Sequence, residues 1–163
     1  ARAIRCYDFD GDLEGALTSM TDNELNAAIL HEIGEIQAGK KLPGWQQMMS
    51  DITFTQAEIM ARAVRDHYAD TLHTLPTLIR DNNHASIHFY FANLTSMRKH
   101  IFPSLIDAYN RWCENRDITT IAAIVSTSLD HWQNIAEQML ALHQQDAECC
   151  SDRIENLVKD NHI

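Results

Sequence analysis

Residues that interrupt regular structure are scarce in this sequence, with only 5 Gly and 3 Pro among 163 residues. Alternation of apolar and polar residues, which is typical of half-buried strands, is scarce as well. No apolar run approaches the roughly 18 residues that a membrane-spanning helix needs. These absences argue against a β-rich fold and against a membrane segment, and they favour a fold of long helices.

Positive charge is also in short supply, because 13 Lys and Arg stand against 23 Asp and Glu, for a net charge of −10. Since nucleic acids and anionic membranes select basic surfaces, neither is expected as a partner. The 4 cysteines form no Cys-x-x-Cys motif, and Cys149 and Cys150 are adjacent, so neither a zinc knuckle nor a disulfide framework is predicted. Reduced thiols in the cytoplasm are the simplest interpretation, and no secretory leader pattern opens the sequence.

What the sequence does contain is apolar periodicity at helical spacing from residue 21 onward. This periodicity predicts one all-α domain over residues 1–163, folded as an up-and-down four-helix bundle. Residues 1–20 are expected to form an N-terminal arm and residues 21–145 the four long helices. Residues 146–163 are expected to form a C-terminal tail with a short helix.

Capping residues define the boundaries of the four long helices. Capping boxes begin the first two helices at Thr21 and Thr55, each with Glu three positions later. Asn83 and Asp117 are suitable N-caps for the third and fourth helices. The prolines within the second and third helices are expected to bend them. The four helices are therefore predicted over residues 21–38, 55–80, 83–112 and 117–145.

The first predicted helix carries an acidic side chain within its apolar stripe. At about 100° per residue, the stripe comprises Leu25, Ile29, Ile33 and Ile36. Glu32 falls within this stripe and is therefore predicted to face the interior of the bundle.

The other three helices also place polar side chains in their stripes, namely His67, Arg98 and Ser128, with His131 on the flank. At a rise of about 1.5 Å per residue, these side chains lie within about one turn of one another in height. Burial of such groups is costly unless they are paired or bound to a ligand. The sequence therefore predicts one buried polar layer to which all four helices contribute.

This polar layer has two interpretations from different functional classes. In the first, it binds a small ligand or a metal, with non-haem iron or another divalent ion as the candidates. The ligands to the metal are then Glu32, His67 and His131, joined by Glu35 or His88, while Arg98 and Ser128 contact a small ligand. In the second, Glu32 pairs with Arg98 in a purely structural network, and the chain is a non-catalytic acidic interaction or sensory module.

A surface for a protein partner is expected at residues 40–50, the longest link between predicted helices. Lys40, Lys41 and Trp45 make a basic and aromatic patch there in an otherwise acidic protein. The alternative is a solvated loop that is anchored by its one Trp. A second copy of the chain is a further candidate partner.

Two pairs of potential metal ligands have the i, i+4 spacing of one helix face, His31 with Glu35 and His84 with His88. Together these four residues resemble the pattern of the hemerythrins, which hold two irons inside a four-helix bundle. The ferritin-like pattern uses inward Glu-x-x-His pairs, and this sequence contains none. On the helical wheel, Glu32 rather than His31 is predicted to face inward.

Residues 7–15, Tyr-Asp-Phe-Asp-Gly-Asp-Leu-Glu-Gly, resemble the first motif of the haloacid-dehalogenase hydrolases. That family implies phosphoryl transfer by two aspartates, here Asp8 and Asp10, at the tip of a strand in a parallel sheet. Because everything after residue 20 is predicted to be helical, no sheet is available to carry them. The stretch is therefore interpreted as an acidic turn that leads into the bundle.

Overall fold

The computed structural model describes residues 2–163, and these residues contain no β-strand, so the prediction of an all-α fold is confirmed. Short turns complete the helices, a 3₁₀ turn at Ile4–Cys6 and a π-helical turn at Asp70–Thr74. The α-helices in chain order are α1 (Leu13–Lys41), α2 (Trp45–Asp51), α3 (Gln56–Ala69), α4 (Leu75–Arg80), α5 (His84–Asn93), α6 (Ser96–Ile101), α7 (Pro103–Asn115), α8 (Thr119–Gln145) and α9 (Cys150–Lys159).

The first helix begins earlier than the sequence pattern predicted. Asp12 is the N-cap of α1, and its carboxylate accepts a hydrogen bond from the backbone N–H of Gly15 at 2.9 Å. The proposed cap Thr21 lies inside the helix, where its hydroxyl donates to the carbonyl of Leu17 at 2.8 Å. The arm therefore ends at residue 12, and the acidic stretch forms the turn that starts α1, as expected.

The second predicted helix is built from α3, the π-helical turn and α4. Thr55 caps it by accepting from the N–H of Glu58 at 3.3 Å, and Glu58 accepts from the N–H of Phe54 at 2.8 Å. This reciprocal arrangement confirms the predicted start. The expected disturbance near Pro76 takes the form of a π-helical turn that ends two residues before the proline, where one extra residue per turn changes which side chains face inward.

The predicted cap Asn83 is confirmed, whereas Asp117 lies one residue before Ile118, the N-cap of α8, and the third helix is more broken than expected. Asn83 accepts from the N–H of Ser86 at 3.1 Å, and Asp117 accepts from the N–H of Thr119 at 3.0 Å. The single helix predicted over residues 83–112 consists of α5, α6 and α7. The predicted helix in the tail is α9.

The core is centred on α3, α8 and α9, which pack against one another, and α7 packs against α8. Its largest fully buried side chains include Trp112 and Trp132. Trp45 is also buried, since it lies in α2 and packs on this core, so residues 40–50 do not expose an aromatic patch. The prediction of an exposed Trp there is wrong, and the alternative of a solvated loop is right only about the anchoring Trp45, because Trp45–Asp51 form a helix.

Helix α1 is rotated relative to the prediction. Its large aliphatic residues point outward, and the exposed fractions are 59% for Leu25, 48% for Ile29, 36% for Ile33 and 60% for Ile36. Glu32 is exposed with them. The inward prediction for this face is therefore wrong.

Small residues form the face of α1 that is buried, namely Ala16, Gly34 and Ala38. This face packs against α3 and the π-helical turn. Small side chains allow two helix backbones to approach closely, and the larger aliphatic residues then remain on the outer side of α1. The inner face carries His31 toward the π-helical turn.

Candidate functional site

The candidate site is centred on a hydrogen bond between α1 and the π-helical turn. Nδ1 of His31 lies 2.8 Å from Oδ1 of Asp70, and Asp70 is fully buried. Gly34 allows this approach, because a Cβ atom at that position would lie 2.7 Å from the carbonyl oxygen of Ala69. The close packing of α1 against the turn therefore sets the geometry of the site.

Arg98 of α6 neutralises the buried carboxylate of Asp70. Its guanidinium donates to Oδ2 of Asp70 and, at 2.8 Å, to the hydroxyl of Tyr90. Burial alone opposes ionisation of Asp70, but the charge of Arg98 and the hydrogen bond from His31 outweigh it and lower the pKa of Asp70 to about 2. Asp70 is therefore ionised at neutral pH and accepts hydrogen bonds through both oxygens.

Three potential metal ligands lie together beside the His31–Asp70 pair. Ligand atoms of His31, Glu35 and Asp66 all lie within 4.8 Å of one another, and no other such group occurs among residues 2–163. Oε1 of Glu35 lies 3.7 Å from Nε2 of His31. The second oxygen of Glu35 accepts a hydrogen bond from Arg65 at 2.9 Å. We call His31, Glu35 and Asp66 the ligand cluster.

The hydrogen bond to Asp70 determines which nitrogen of His31 is available. An ionised carboxylate only accepts, so Nδ1 carries the proton, and the neutral ring presents a lone pair at Nε2, which lies 3.7 Å from Oε1 of Glu35. Histidine ligands of metals in proteins commonly donate their other N–H to a carboxylate in this way. Ligating carboxylates are in turn held by hydrogen bonds, as Glu35 is by Arg65.

Titration of the ligand cluster is coupled to the surrounding charges. The hydrogen bond to Asp70 raises the pKa of His31, and the negative charges of Asp66 and Glu35 act in the same direction against burial. Burial raises the pKa of Asp66, and the charge of Arg98 only partly offsets this. The surrounding carboxylates therefore favour the protonated form of His31.

A cleft of about 260 Å³ lies on the opposite side of the His31–Asp70 pair, between α1, the π-helical turn and α5. Two buried polar atoms at its wall, Oγ1 of Thr74 and Nε of Arg98, have no hydrogen-bond partner in the described part of the chain. Glu24 lies at the cleft as well and accepts from the hydroxyl of Ser86 at 3.1 Å. The cleft is lined by Glu24, Ala27, Ala28, His31, Asp70, Thr74, Leu78, Ser86, Phe89, Tyr90, Asn93 and Arg98.

Comparison with known proteins places the chain in a family without assigning an activity. The family model for the C-terminal domain of a family of unknown function, DUF6866, matches residues 1–161. The chain belongs to this family. No curated protein and no solved structure matches it. Among residues 2–163, none of the helices combines the length and the apolarity of a membrane-spanning segment.

The residues predicted to form one polar layer are distributed over several environments. Glu32 is exposed on the outer face of α1. His67 is fully buried, stacks on Trp132 and donates from Nε2 to the carbonyl of Arg98 at 2.9 Å. Burial, followed by the charge of Arg98, lowers the pKa of His67 to about 3, so its ring is neutral. Arg98 pairs with Asp70, so the predicted Glu32–Arg98 pair is wrong.

The other predicted residues on the long helices also make contacts of their own. His131 packs against Trp132 and donates to the carbonyl of Asn161 at 3.0 Å. Ser128 is buried and donates to the carbonyl of Val125 at 3.3 Å. His67 and His131 thus share one indole, but neither joins the ligand cluster in the described chain.

The histidine pair of α5 belongs to a separate aromatic group. His88 stacks on Trp112 with ring centres 4.6 Å apart, and its Nδ1 lies 3.0 Å from the hydroxyl of Tyr109. His84 meets the edge of the same indole at 5.3 Å. The hemerythrin resemblance implied that His84 and His88 lie beside the His31–Glu35 pair. The structure does not bring the two pairs together.

Of the predicted metal ligands, Glu35 alone belongs to the ligand cluster. Sequence reasoning did not select Asp66 and Asp70, although both lie on the helix that contains His67. A signal for them was present, because Asp66 and Asp70 have the same i, i+4 spacing as His31 and Glu35. This spacing places the two side chains of each pair on one helix face, and α1 packs against both α3 and the π-helical turn.

Proposed function

We propose that this domain binds a divalent metal ion at His31, Glu35 and Asp66. The observation that carries the proposal is the hydrogen bond from Nδ1 of His31 to the buried Asp70, which leaves Nε2 to face Glu35 within the ligand cluster. An ordinary surface cluster of acidic residues lacks a buried carboxylate that orients one of the ligands by a hydrogen bond. Here the supporting carboxylate is itself held by Arg98.

The donor set indicates which ions fit best. One neutral imidazole and two carboxylates supply a charge of −2, which balances a divalent cation. A set of nitrogen and oxygen donors without thiolate suits Mn²⁺, Fe²⁺ and Zn²⁺, and this range includes the non-haem iron expected from the sequence. Three protein ligands leave coordination positions open for water or a small molecule, as in metal sites that exchange ligands.

The first prediction concerns metal affinity measured by isothermal titration calorimetry with Zn²⁺, Mn²⁺ or, without oxygen, Fe²⁺. At least one ion should bind with a stoichiometry of about one per chain. Glu35→Gln, Asp66→Asn and His31→Ala should each weaken binding by about 100-fold or more, since each removes one of three ligands. Glu32→Gln is the matched control, because it removes a neighbouring acid on the exposed side of α1, and its affinity should remain unchanged.

A second prediction concerns the dependence of metal binding on pH. Nε2 of His31 must lose its proton before it can bind a metal, and the pKa of His31 is raised by Asp70. Affinity should therefore fall as the pH is lowered through this raised pKa, and binding below it should release about one proton per metal. Calorimetry in buffers of different ionisation enthalpy measures that proton. Equal affinity on both sides of the titration of His31 would contradict the assignment of Nε2 as a ligand.

The alternative function, an interaction module with a structural polar network, is favoured by a different observation. His31, Glu35 and Asp70 each already have a partner within the chain. If no ion binds, these pairs are structural and Asp66 is a partly buried acid with a raised pKa. The calorimetric series separates the two functions, because a structural network predicts no binding to any of the ions.

A further inference from the structure

Helix α1 exposes a continuous apolar stripe on the side that faces away from the rest of the chain. Leu25, Ile29, Ile33 and Ile36 follow one another at spacings of four, four and three residues, and each is at least 36% exposed. This spacing places them on one side of the helix, as in the seam of a pair of helices. Large contiguous apolar patches of this kind mark interaction sites.

Charged residues of opposite sign lie at the two ends of this stripe, and Glu32 lies at its edge, one residue from position 31. Asp22 precedes Leu25 and Lys40 follows Ile36, and both are exposed. At about 100° per residue, Asp22 and Lys40 fall within about 20° of Ile29 around the helix axis. Both lie nine residues from position 31, and Ile29 and Ile33 both lie two residues from it. Reversal about position 31 therefore exchanges Ile29 with Ile33 and Asp22 with Lys40, whereas Leu25 and Ile36 fall opposite Gln37 and Asn26.

We infer that the stripe of α1 is covered by α1 of a second copy, packed antiparallel about a two-fold axis near residue 31. In this arrangement Ile29 faces Ile33 of the second copy, and Asp22 faces Lys40 of the second copy. The two-fold axis makes every contact twice, which is the usual symmetry of homodimers. A parallel pair would instead bring Asp22 against Asp22 and Lys40 against Lys40, and like charges in contact are unfavourable.

The dimer leaves the proposed metal site accessible. His31 faces α3 and the π-helical turn, on the side of α1 opposite the stripe. The contact between Asp22 and Lys40 spans 18 residues of α1, or about 27 Å of helix at about 1.5 Å per residue. The inference therefore does not depend on metal binding, and the two can fail separately.

Sedimentation equilibrium of the 163-residue chain tests whether the dimer forms. The chain should be dimeric, and Ile29→Glu with Ile33→Glu should raise the dissociation constant by about 100-fold or more, because four carboxylates would enter the seam. Ile59→Glu is the matched control, since Ile59 is 51% exposed on α3 rather than on α1, and it should leave the dimer intact. Circular dichroism verifies that each variant keeps its helical content.

A charge-reversal cycle tests the antiparallel orientation. Asp22→Lys and Lys40→Asp should each weaken the dimer by about fivefold to tenfold, because each replaces attraction by repulsion at both ends of the seam. The double variant should return to within about twofold of the original dissociation constant. A chain that stays monomeric at about 100 µM, or a dimer that tolerates glutamate at Ile29 and Ile33, overturns the inference. A double variant no tighter than the single variants overturns the antiparallel orientation.

Discussion

Asp70→Ala should lower the free energy of unfolding by about 3–5 kcal/mol, the range for removing one partner of a buried ion pair. Asp70 is fully buried, and its oxygens accept hydrogen bonds from Arg98 and His31. Without it, the guanidinium of Arg98 remains largely buried with Tyr90 as its remaining side-chain partner in the described chain. Urea denaturation followed by circular dichroism measures the loss.

The neighbouring acid on the same helix is a matched control for this substitution. Asp66 lies four residues before Asp70, is partly buried and has no ion pair within residues 2–163. Since burial raises its pKa, its charge is poorly accommodated, and Asp66→Ala should change the stability by less than about 1 kcal/mol. A double variant, Asp70→Ala with Arg98→Met, should recover much of the loss. If Asp66→Ala and Asp70→Ala lowered the free energy of unfolding equally, the Arg98–Asp70 ion pair would not be the cause of the loss.

The pH dependence of the free energy of unfolding should also reveal the contribution of Asp70. The pKa of Asp70 is about 2 in the folded chain against an ordinary value of 3.8. A lowered pKa stabilises the folded state above the ordinary value, so this contribution is present above about pH 4 and is lost as the pH falls toward about 2. The difference in stability between the original chain and Asp70→Ala should therefore narrow over this range. A difference that stays constant down to about pH 2 would contradict the assigned pairing.

Local hydrogen-bonding chemistry explains why much of the secondary structure could be predicted from the sequence. Thr55 and Asn83 cap helices because a short polar side chain reaches the free N–H groups of the first turn. Thr21 has the same local pattern, but its helix already begins at Asp12, so the hydroxyl bonds back to the chain instead. A capping pattern thus predicts a helix start only where no earlier residue has started the helix.

The orientation of α1 could not be predicted from apolar periodicity, because two different faces of the helix carry apolar residues. One carries large aliphatic residues and the other carries small ones such as Gly34 and Ala38. A wheel that weights apolar size selects the larger face, whereas close helix packing uses the smaller one. This error placed Glu32 inside and His31 outside, the reverse of their positions in the fold.

The burial of Asp70 at the site could not be predicted from the sequence for a different reason. On a regular α-helix Asp70 shares a face with Asp66 and His67, because it lies four and three residues after them. Its charge is accommodated there only because Arg98 and His31, which lie on other helices, bond to it. Periodicity within one helix does not reveal such partners, so the spacing identified His31 and Glu35 as a pair but not the carboxylates that complete the site.

Gly34→Ala should destabilise the chain by about 2–3 kcal/mol, although alanine favours helices more than glycine does. The gain in helix propensity is about 1 kcal/mol. Against it, the new methyl group would lie 2.7 Å from the carbonyl oxygen of Ala69, a backbone atom that cannot move without displacing α3 from α1. Because the clash is with backbone, overpacking outweighs propensity.

Gly39→Ala tests this argument within the same helix, because among residues 2–163 no heavy atom beyond the adjacent residues and the nearby helix backbone lies within 4 Å of a Cβ at Gly39. There the propensity gain acts alone, and thermal or urea denaturation should show a stabilisation of about 0.5–1 kcal/mol. Gly34→Ala should in addition weaken metal binding, since moving α1 outward separates His31 from both Asp70 and Asp66. If both substitutions stabilised the chain equally, α1 would not be held against the π-helical turn through Gly34, and the geometry of the ligand cluster would lose its structural basis.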